Sequence, residues 1–211
     1  MKVTVLSNTH DADSIIETAA RTCYSSKPDE TRRAGFIAGI IKRGHESVLE
    51  HASITYKLEG ISRALTHQLV RHRIASYAQK SQRYVKESQF DYIIPPSVKK
   101  VGMDVFFSEA AKEIQRLYNV MVSHGVAAED ARYILPNACT TEIVVTMNFR
   151  ELRHFFKLRC DKHAQWEIRD TAIEMLKLAF NISPTIFRDI YNQFTGGVDD
   201  KDNDSKEANA Q

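Results

Sequence analysis

Two spacings of hydrophobic residues alternate along this chain. Val3-Thr4-Val5-Leu6 is a short β-branched run and predicts a strand. Ile15, Ile16, Ala19 and Ala20 then recur at helical spacing, with Asp11 or Asp13 placed to cap the helix. A polar break over 22–28 precedes a second predicted helix over 29–42. Phe36, Ile37, Ile40 and Ile41 form one face of it, and Gly44 ends it. Residues 52–58 alternate apolar and polar, which predicts a half-buried strand. The spacing predicts a helix over 61–73, with Ile61, Ala64, Leu65, Leu69 and His72 turned inward. Residues 74–83 have no clear period. After an extended exit at 92–96, residues 103–124 predict a long amphipathic helix. Its stripe is Phe106, Phe107, Ala110, Ile114, Leu117 and Met121, and Gly125 is its C-cap. A short helix over 128–135 stops at Pro136. A buried strand over 142–147 leads into a last helical stretch at 149–179, where Leu152, Phe155 or Phe156, Arg159, His163 and Trp166 recur every three or four residues.

Charge changes this picture at one place. The 211 residues carry 29 Lys and Arg against 27 Asp and Glu, a net charge of +2. Yet 60–86 contains no acid at all, while Arg63, Arg71, Arg73, Lys80, Arg83, Lys86, His67 and His72 all fall within it. Cations so close repel one another, and partial burial sharpens the repulsion, so an anion is expected among them. Arginine forks match phosphate oxygens, and the interspersed Ser76, Gln79, Ser81 and Gln82 can read polar edges. That mixture suits a phosphorylated ring compound better than a bare polyanion. A basic surface loop is the plainer reading of the same residues. Further on, Arg159 falls on or beside an apolar stripe. It needs either an acid such as Asp161 or Glu167 or a charged ligand.

Composition bounds the classes. Hydrophobic residues make 43% and charged residues 27%, which is ordinary globular composition. One domain over 1–195 is expected, followed by a polar, disordered tail over 196–211. The small net charge does not favour nucleic acid as a partner. No stretch approaches the ~20 apolar residues that span a bilayer, and the first ten residues lack the apolar run of a signal peptide, so a cytoplasmic protein is expected. Three Cys without a CxxC, namely Cys23, Cys139 and Cys160, indicate neither a disulfide framework nor structural zinc. His45, Glu46, Glu50 and His51 invite a metal reading, but the residue four after His45 is Leu49, not His. Ser47 and Glu50 have capping-box spacing instead. There is no G-x-G-x-x-G and no Walker A loop.

Four blocks, in order over roughly residues 30–170, resemble the flavin-dependent thymidylate synthases. Arg71-His72-Arg73, seven residues, Ser81 and then Gln82-Arg83-Tyr84 resemble that family's signature. Gly44-His45-Glu46 with Glu50-His51 resembles its GHE-x-x-x-EH segment, and Ala131-Arg132 with Leu135-Pro136 its ARxxLP stretch. Asn148-Phe149-Arg150, His154, Leu158-Arg159 and 163–169 match its C-terminal block. Ala78 replaces the Asn common in that family and Gln79 stands where some members have Glu, and an amide can donate where a carboxylate cannot.

The resemblance implies an α/β chain of the α+β kind. A central mixed or antiparallel sheet would be flanked by long helices, in a homotetramer with sites at subunit interfaces. It implies reductive methylation of dUMP to dTMP, with FAD as cofactor and methylenetetrahydrofolate and NADPH as co-substrates, and with neither nucleic acid nor membrane as partner. dUMP would be held by Gln68, Leu69, Val70, Arg71, Gln79, Lys80, Ser81, Gln82, Arg83, Arg132 and Arg159. Arg159 would be the catalytic residue, favouring the ionised uracil. FAD would be held by Ser47, Glu50, Arg71, His72, Arg73, Gln79, Asn148, Phe149, Arg150, His154, Leu158 and His163. No metal is implied, and the three Cys are read as structural. Two other readings stay open. A nucleic-acid-binding module on 60–86 could use Tyr77 and Tyr84 as stacking platforms, and its binding would fall steeply with salt. A metal-dependent hydrolase on His45, Glu46, Glu50 and His51 would be sensitive to chelators.

Overall fold

The period-two pattern near residue 52 becomes the strand Ser53–Ser62, in which Ile54, Tyr56 and Leu58 are fully buried and the residues between them are half-buried. This computed structural model describes residues 1–196. Its elements run β1 (Lys2–Asn8), α1 (Ala12–Thr22), α2 (Arg33–Lys42), β2 (Ser53–Ser62), α3 (Arg63–Leu69), β3 (Ala75–Gln79), α4 (Pro96–Lys100), α5 (Asp104–Ser123), α6 (Ala128–Ala131), β4 (Thr140–Asn148), α7 (Phe149–Arg159), α8 (Trp166–Ile182) and α9 (Pro184–Thr195). Short 3-10 turns occupy Glu30–Arg32, Glu46–His51 and Arg132–Ile134. The expected α+β class is the one observed, with a four-stranded antiparallel sheet in the order β1-β2-β4-β3. The tail expected to be disordered lies, from residue 197 on, outside the described residues.

The chain forms two compact units. The first comprises residues 1–7 and 55–147 and contains nearly all of the sheet with α3 to α6. On β4, Ile143, Val145 and Met147 are buried in alternation, as Tyr56 and Leu58 are on β2. On the other face Thr55 and Thr146 share a hydroxyl hydrogen bond of 2.9 Å, and Lys57 lies between Glu59 (3.0 Å) and Glu142 (2.8 Å). β3 is an edge strand paired antiparallel to β4, with Ala75 opposite Met147 and Gln79 opposite Ile143.

The second unit comprises residues 8–54 and the chain from Asn148, and packs α1, α2, α7, α8 and α9 together. Phe149, Phe156 and Phe187 stack edge to face at its centre. Glu17, fully buried on α1, accepts from Arg21 (2.7 Å) and Arg33 (3.0 Å) and so ties α1 to α2. Gly44 ends α2 in the left-handed region (φ 75°), which is open to glycine at little cost.

Several expectations are corrected. The helix predicted over 61–73 covers only Arg63–Leu69, because Ser62 caps it by accepting from Leu65 N (3.0 Å), which leaves Ile61 in β2. At its other end Tyr77 places its hydroxyl 2.8 Å from the Leu69 carbonyl and 2.7 Å from that of His72. One hydroxyl thus meets two carbonyls at the helix end, of which that of Leu69 also accepts from His72 N (3.1 Å). Thr66, rather than Ala64, is buried on α3. The stretch without a period contains β3, whose solvated edge left no alternation to read. On α5 the buried face is Ala111 and Tyr118, one residue and so about 100° round from the predicted Ala110 and Leu117. Phe106 is 64% exposed. That face is anchored by polar tips: Tyr118 Oη accepts from Glu87 N (3.1 Å), and Gln115 accepts from Phe90 N (2.7 Å) and donates to the Glu87 carbonyl (2.8 Å). Asp11 gives α1 no side-chain cap. The capping box at Ser47 does not form either, the segment being a 3-10 turn flanked by His45. The last helix predicted over 149–179 is broken into α7 and α8, and α9 was not foreseen. Asp161 accepts from His163 N (2.8 Å), and Gln165 caps α8 by accepting from Glu167 N (3.0 Å) and Ile168 N (3.2 Å). Both side chains offer the backbone a local alternative to the helix.

The deeply buried cation of α7 is Arg153, 1% exposed, while Arg159 is only half-buried. Arg153 forks onto both oxygens of Asp189 (2.7 Å each), donates to Glu46 (3.3 Å), and also donates to the carbonyl of Ile186. Burial pushes the Asp189 carboxyl up, but the Arg153 hydrogen bonds and charge outweigh that and hold it below the usual carboxylate value. Removing one partner of a buried ion costs far more than the pair is worth. Asp189→Ala should therefore destabilise the protein by about 3 kcal/mol, read from the urea midpoint. A carboxyl depressed by folding stabilises above its unfolded pKa and loses that contribution as pH falls through the folded value. The stability gap between wild type and Asp189→Asn should be full at neutral pH and shrink below pH ~4.

Candidate functional site

In the first unit the candidate residues gather around the turn that follows α3. Tyr77 pins that turn to β3, so the side chains alternate: Arg71 and Arg73 point to solvent and His72 is buried. Neither Arg71 nor Arg73 has a side-chain hydrogen bond or ion pair among the described residues. Gln68 is half-buried and its carbonyl accepts from Arg71 N (3.4 Å). Leu69 is fully buried and Val70 is 42% exposed, so the Leu69 side chain belongs to the core and only its backbone can face a ligand. Gln79 closes β3, its amide donating to Thr66 Oγ1 (3.0 Å) and Thr141 Oγ1 (3.4 Å).

Beyond β3 the chain turns at 82–84, with Ser81 Oγ accepting from Arg83 N (3.2 Å) and Gln82 buried. Lys80 is half-buried and ion-paired to the buried Glu87 (3.0 Å). Arg83 reaches Glu129 Oε2 (3.2 Å), and Arg132 donates to the Glu129 carbonyl (3.0 Å). Glu129 thus brings together two arginines 49 positions apart in the chain, which no spacing in the sequence indicates. Two acids do answer the acid-free window, but only in part. Glu87 and Glu129 engage Lys80 and Arg83, while Arg63, Arg71, Arg73 and Lys86 have no ion pair among the described residues.

The second unit holds the remaining residues. Asn148 caps α7, its Oδ1 accepting from Glu151 N (2.8 Å), which leaves its amide N–H groups to donate elsewhere. Arg150, His154 and Leu158 follow at intervals of four, so they form one ridge of α7, and all three are exposed, Leu158 at 49%. A basic and apolar ridge of this kind can meet a flat, partly anionic ring system. Arg150 pairs with Glu50 at 2.5 Å, both ends being solvated. A pocket of about 570 Å³ adjoins them, lined by His45, Glu46, Ser47, Arg43, Tyr24 and Arg150 among others. Its volume is within the range of about 300–1,000 Å³ usual for ligand pockets. Phe149 is fully buried and donates its N–H to the Ala52 carbonyl (2.8 Å), so its side chain is core. His163, at 82% side-chain exposure, is tied through Nδ1 to Asp161 (2.7 Å). Arg159 ends α7, where the helix dipole favours a cation.

Glu46 and Glu50 are occupied by arginines, and no group of three or more His, Cys, Asp and Glu suited to a metal ion occurs among the described residues. Among those residues no helix is long and apolar enough to cross a membrane. Cys139 and Cys160 are buried free thiols, and burial pushes each up to about 12.

The first unit thus carries a solvent-facing arginine turn and the second an exposed basic ridge, on an α+β scaffold. The family model for thymidylate synthase complementing proteins matches residues 4–185, and the chain belongs to that family. It is 50% identical over 200 residues to a flavin-dependent thymidylate synthase of Geobacter sulfurreducens, covering 90% of this chain and 86% of that one. It is 43% identical over 213 residues to one of Clostridium tetani (89% and 86% covered), and 41% identical over 208 residues to one of Nitratidesulfovibrio vulgaris (88% and 85% covered).

A thiolate nucleophile needs a lowered pKa, and Cys160 has the reverse. Cys160→Ala should therefore keep full turnover and lose about 1 kcal/mol of stability. Steady-state rates together with a thermal melt check both.

Proposed function

We propose that this chain makes dTMP by reductive methylation of dUMP, with methylenetetrahydrofolate as carbon donor and NADPH as reductant through bound FAD. The observation that carries the reading is the arginine turn after α3, solvent-facing and without neutralising carboxylates, in a chain of this family.

The residues present fit FAD. Among the described residues the positive-φ glycines occur singly, at Gly44, Gly60, Gly102, Gly125 and Gly196, so none of these builds a glycine-rich loop to cradle a diphosphate. Side chains must supply that charge, and Arg71, Arg73 and Arg150 are exposed to do so. Ser47, Glu50, Asn148, His154 and Leu158 would complete the cofactor's contacts. When bound, FAD supplies the redox chemistry, passing reducing equivalents from NADPH to the transferred carbon.

The chain's own residues hold and polarise the substrate. Arg83 and Arg132, with Ser81, would take the nucleotide phosphate, and Gln68 and Gln79 would read polar edges of the base. Arg159 would stand by the uracil N–H. A fixed cation there lowers the pKa of that group, and the ionised ring is the better carbon nucleophile.

The purified protein should bind added FAD and display flavin absorption that bleaches when NADPH is added anaerobically with dUMP. dTMP should then form when methylenetetrahydrofolate is supplied. Failure to bind FAD at all would sink the reading. Arg159→Ala should retain FAD and lose turnover by roughly a hundredfold or more, as expected when one stabilising charge is removed from a reaction centre. An active Arg159→Ala enzyme would overturn that residue's role.

A further inference from the structure

The apolar stripe that the sequence places on α5 is present in the structure, but it stands in solvent. Met103 at the N-cap, Phe106, Leu117 and Val120 are between 40% and 64% exposed, and Ala110 is exposed among them. Residues 103, 106, 110, 113, 117 and 120 alternate in steps of three and four, the a and d spacing of a heptad seam. The fold itself does not use this seam. On other sides of the helix Tyr118 and Gln115 already fasten α5 to the backbone of Glu87 and Phe90. Large apolar side chains gathered along one exposed helix face mark a surface that another molecule covers. None of these residues is among those proposed to hold dUMP or FAD.

The stripe is complementary to itself. Its one charged member is Glu113, which Arg116 of the same helix holds at 2.7 and 2.8 Å. A parallel copy in register would set Glu113 against Glu113. An antiparallel copy, related by a two-fold axis, instead sets Phe106 against Leu117, Met103 against Val120 and Ala110 against Glu113, each pair occurring twice. Alanine opposite Glu113 leaves room for the glutamate stem to lie along the seam with its carboxylate at the rim. The same register brings Glu109, exposed on the flank of the seam, opposite Arg116 of the second copy, so charges of opposite sign meet on both flanks. An anionic lipid surface, the other common cover for an amphipathic helix, would meet Glu109 and Glu113 at its edge and be repelled by them. We infer that α5 is a self-complementary interface, on which a second copy of this chain packs its own α5 antiparallel through Met103, Phe106, Leu117 and Val120.

Disulfide trapping on the full-length chain tests the pairing and its register. The exposed Cys23 is first replaced by Ser, while Cys139 and Cys160 are buried and stay. Phe106→Cys together with Leu117→Cys should then give a covalent dimer on a non-reducing gel after oxidation with copper phenanthroline. Either substitution alone should leave single chains, because the register holds like thiols about 16 Å apart along the helix axis, beyond the reach of a disulfide. Met103→Cys with Val120→Cys repeats the test one layer out and serves as the readout if the first pair does not fold. Adding Glu109→Arg should lower the dimer yield roughly tenfold by setting arginine against arginine, and adding Arg116→Glu as well should restore it. No dimer from either cysteine pair would overturn the inference and leave the face to a different partner. Equal linking by the single variants would mark random collision and overturn it too, as would a yield indifferent to the charge reversal.

Discussion

A guanidinium removed from bulk water has to be met by something, and this chain meets its arginines in two ways. Arg153 is completely enclosed and has Asp189, Glu46 and a backbone carbonyl around it. Arg21 and Arg33 share the buried carboxylate of Glu17. These pairs fasten helices to one another, and each guanidinium in them reaches at least one carboxylate. Three of the arginines of 60–86 are treated differently. Arg63 is partly enclosed with only a distant carbonyl, and Arg71 and Arg73 stand exposed with no acid opposite. The contrast within one chain separates arginines that hold the fold from arginines held in readiness. Crowded cations without counter-ions lower stability, and under the proposed function it is the ligand that brings the negative charge.

The scaffold for that arrangement is inexpensive in sequence terms. One tyrosine hydroxyl, that of Tyr77, stops α3 and fixes the turn through Arg71, His72 and Arg73 to the edge strand. One glutamate, Glu129, draws Arg83 and Arg132 together by its side chain and its carbonyl respectively. In the other unit Asn148 starts α7 and thereby sets the phase of the ridge Arg150, His154 and Leu158. Each device serves a backbone or charge requirement first, and the position of a site residue follows from it.

This division explains what could be read from the chain beforehand. The strands at 52–58 and 142–147 were legible because one face of each is buried and burial writes a period of two. The basic window was legible as composition, and the order of motif blocks carried the family. β3 was not legible, since an edge strand with Ser76 and Ala78 exposed has no apolar rhythm. The face of α5 was misread because its anchors, Gln115 and Tyr118, are polar-tipped residues whose hydrogen bonds lie far off in sequence. Arg159 was taken for the buried cation in place of Arg153, because the apolar stripe was followed through a helix that in fact stops at Arg159. Pairings such as Arg153 with Asp189 leave no local trace at all.

Gln79 marks the point where the sequence left the chemistry open, since an amide there can donate where a carboxylate cannot. The hydrogen bonds close part of that question. The Thr66 hydroxyl gives its proton to the Arg63 carbonyl (2.9 Å), so toward Gln79 it can only accept. The Gln79 nitrogen must then face Thr66 (3.0 Å), with Thr141 as a second, longer contact (3.4 Å). This orientation leaves Oε1 as the side chain's acceptor. Toward a ring N–H, Gln79 thus presents the same kind of atom a glutamate would, without adding a negative charge beside the arginines. A glutamate in this setting would have no donor for Thr66 and would pull its proton away from the Arg63 carbonyl. The amide is therefore matched to Thr66 and, through it, to the backbone that carries Arg63 at the start of α3.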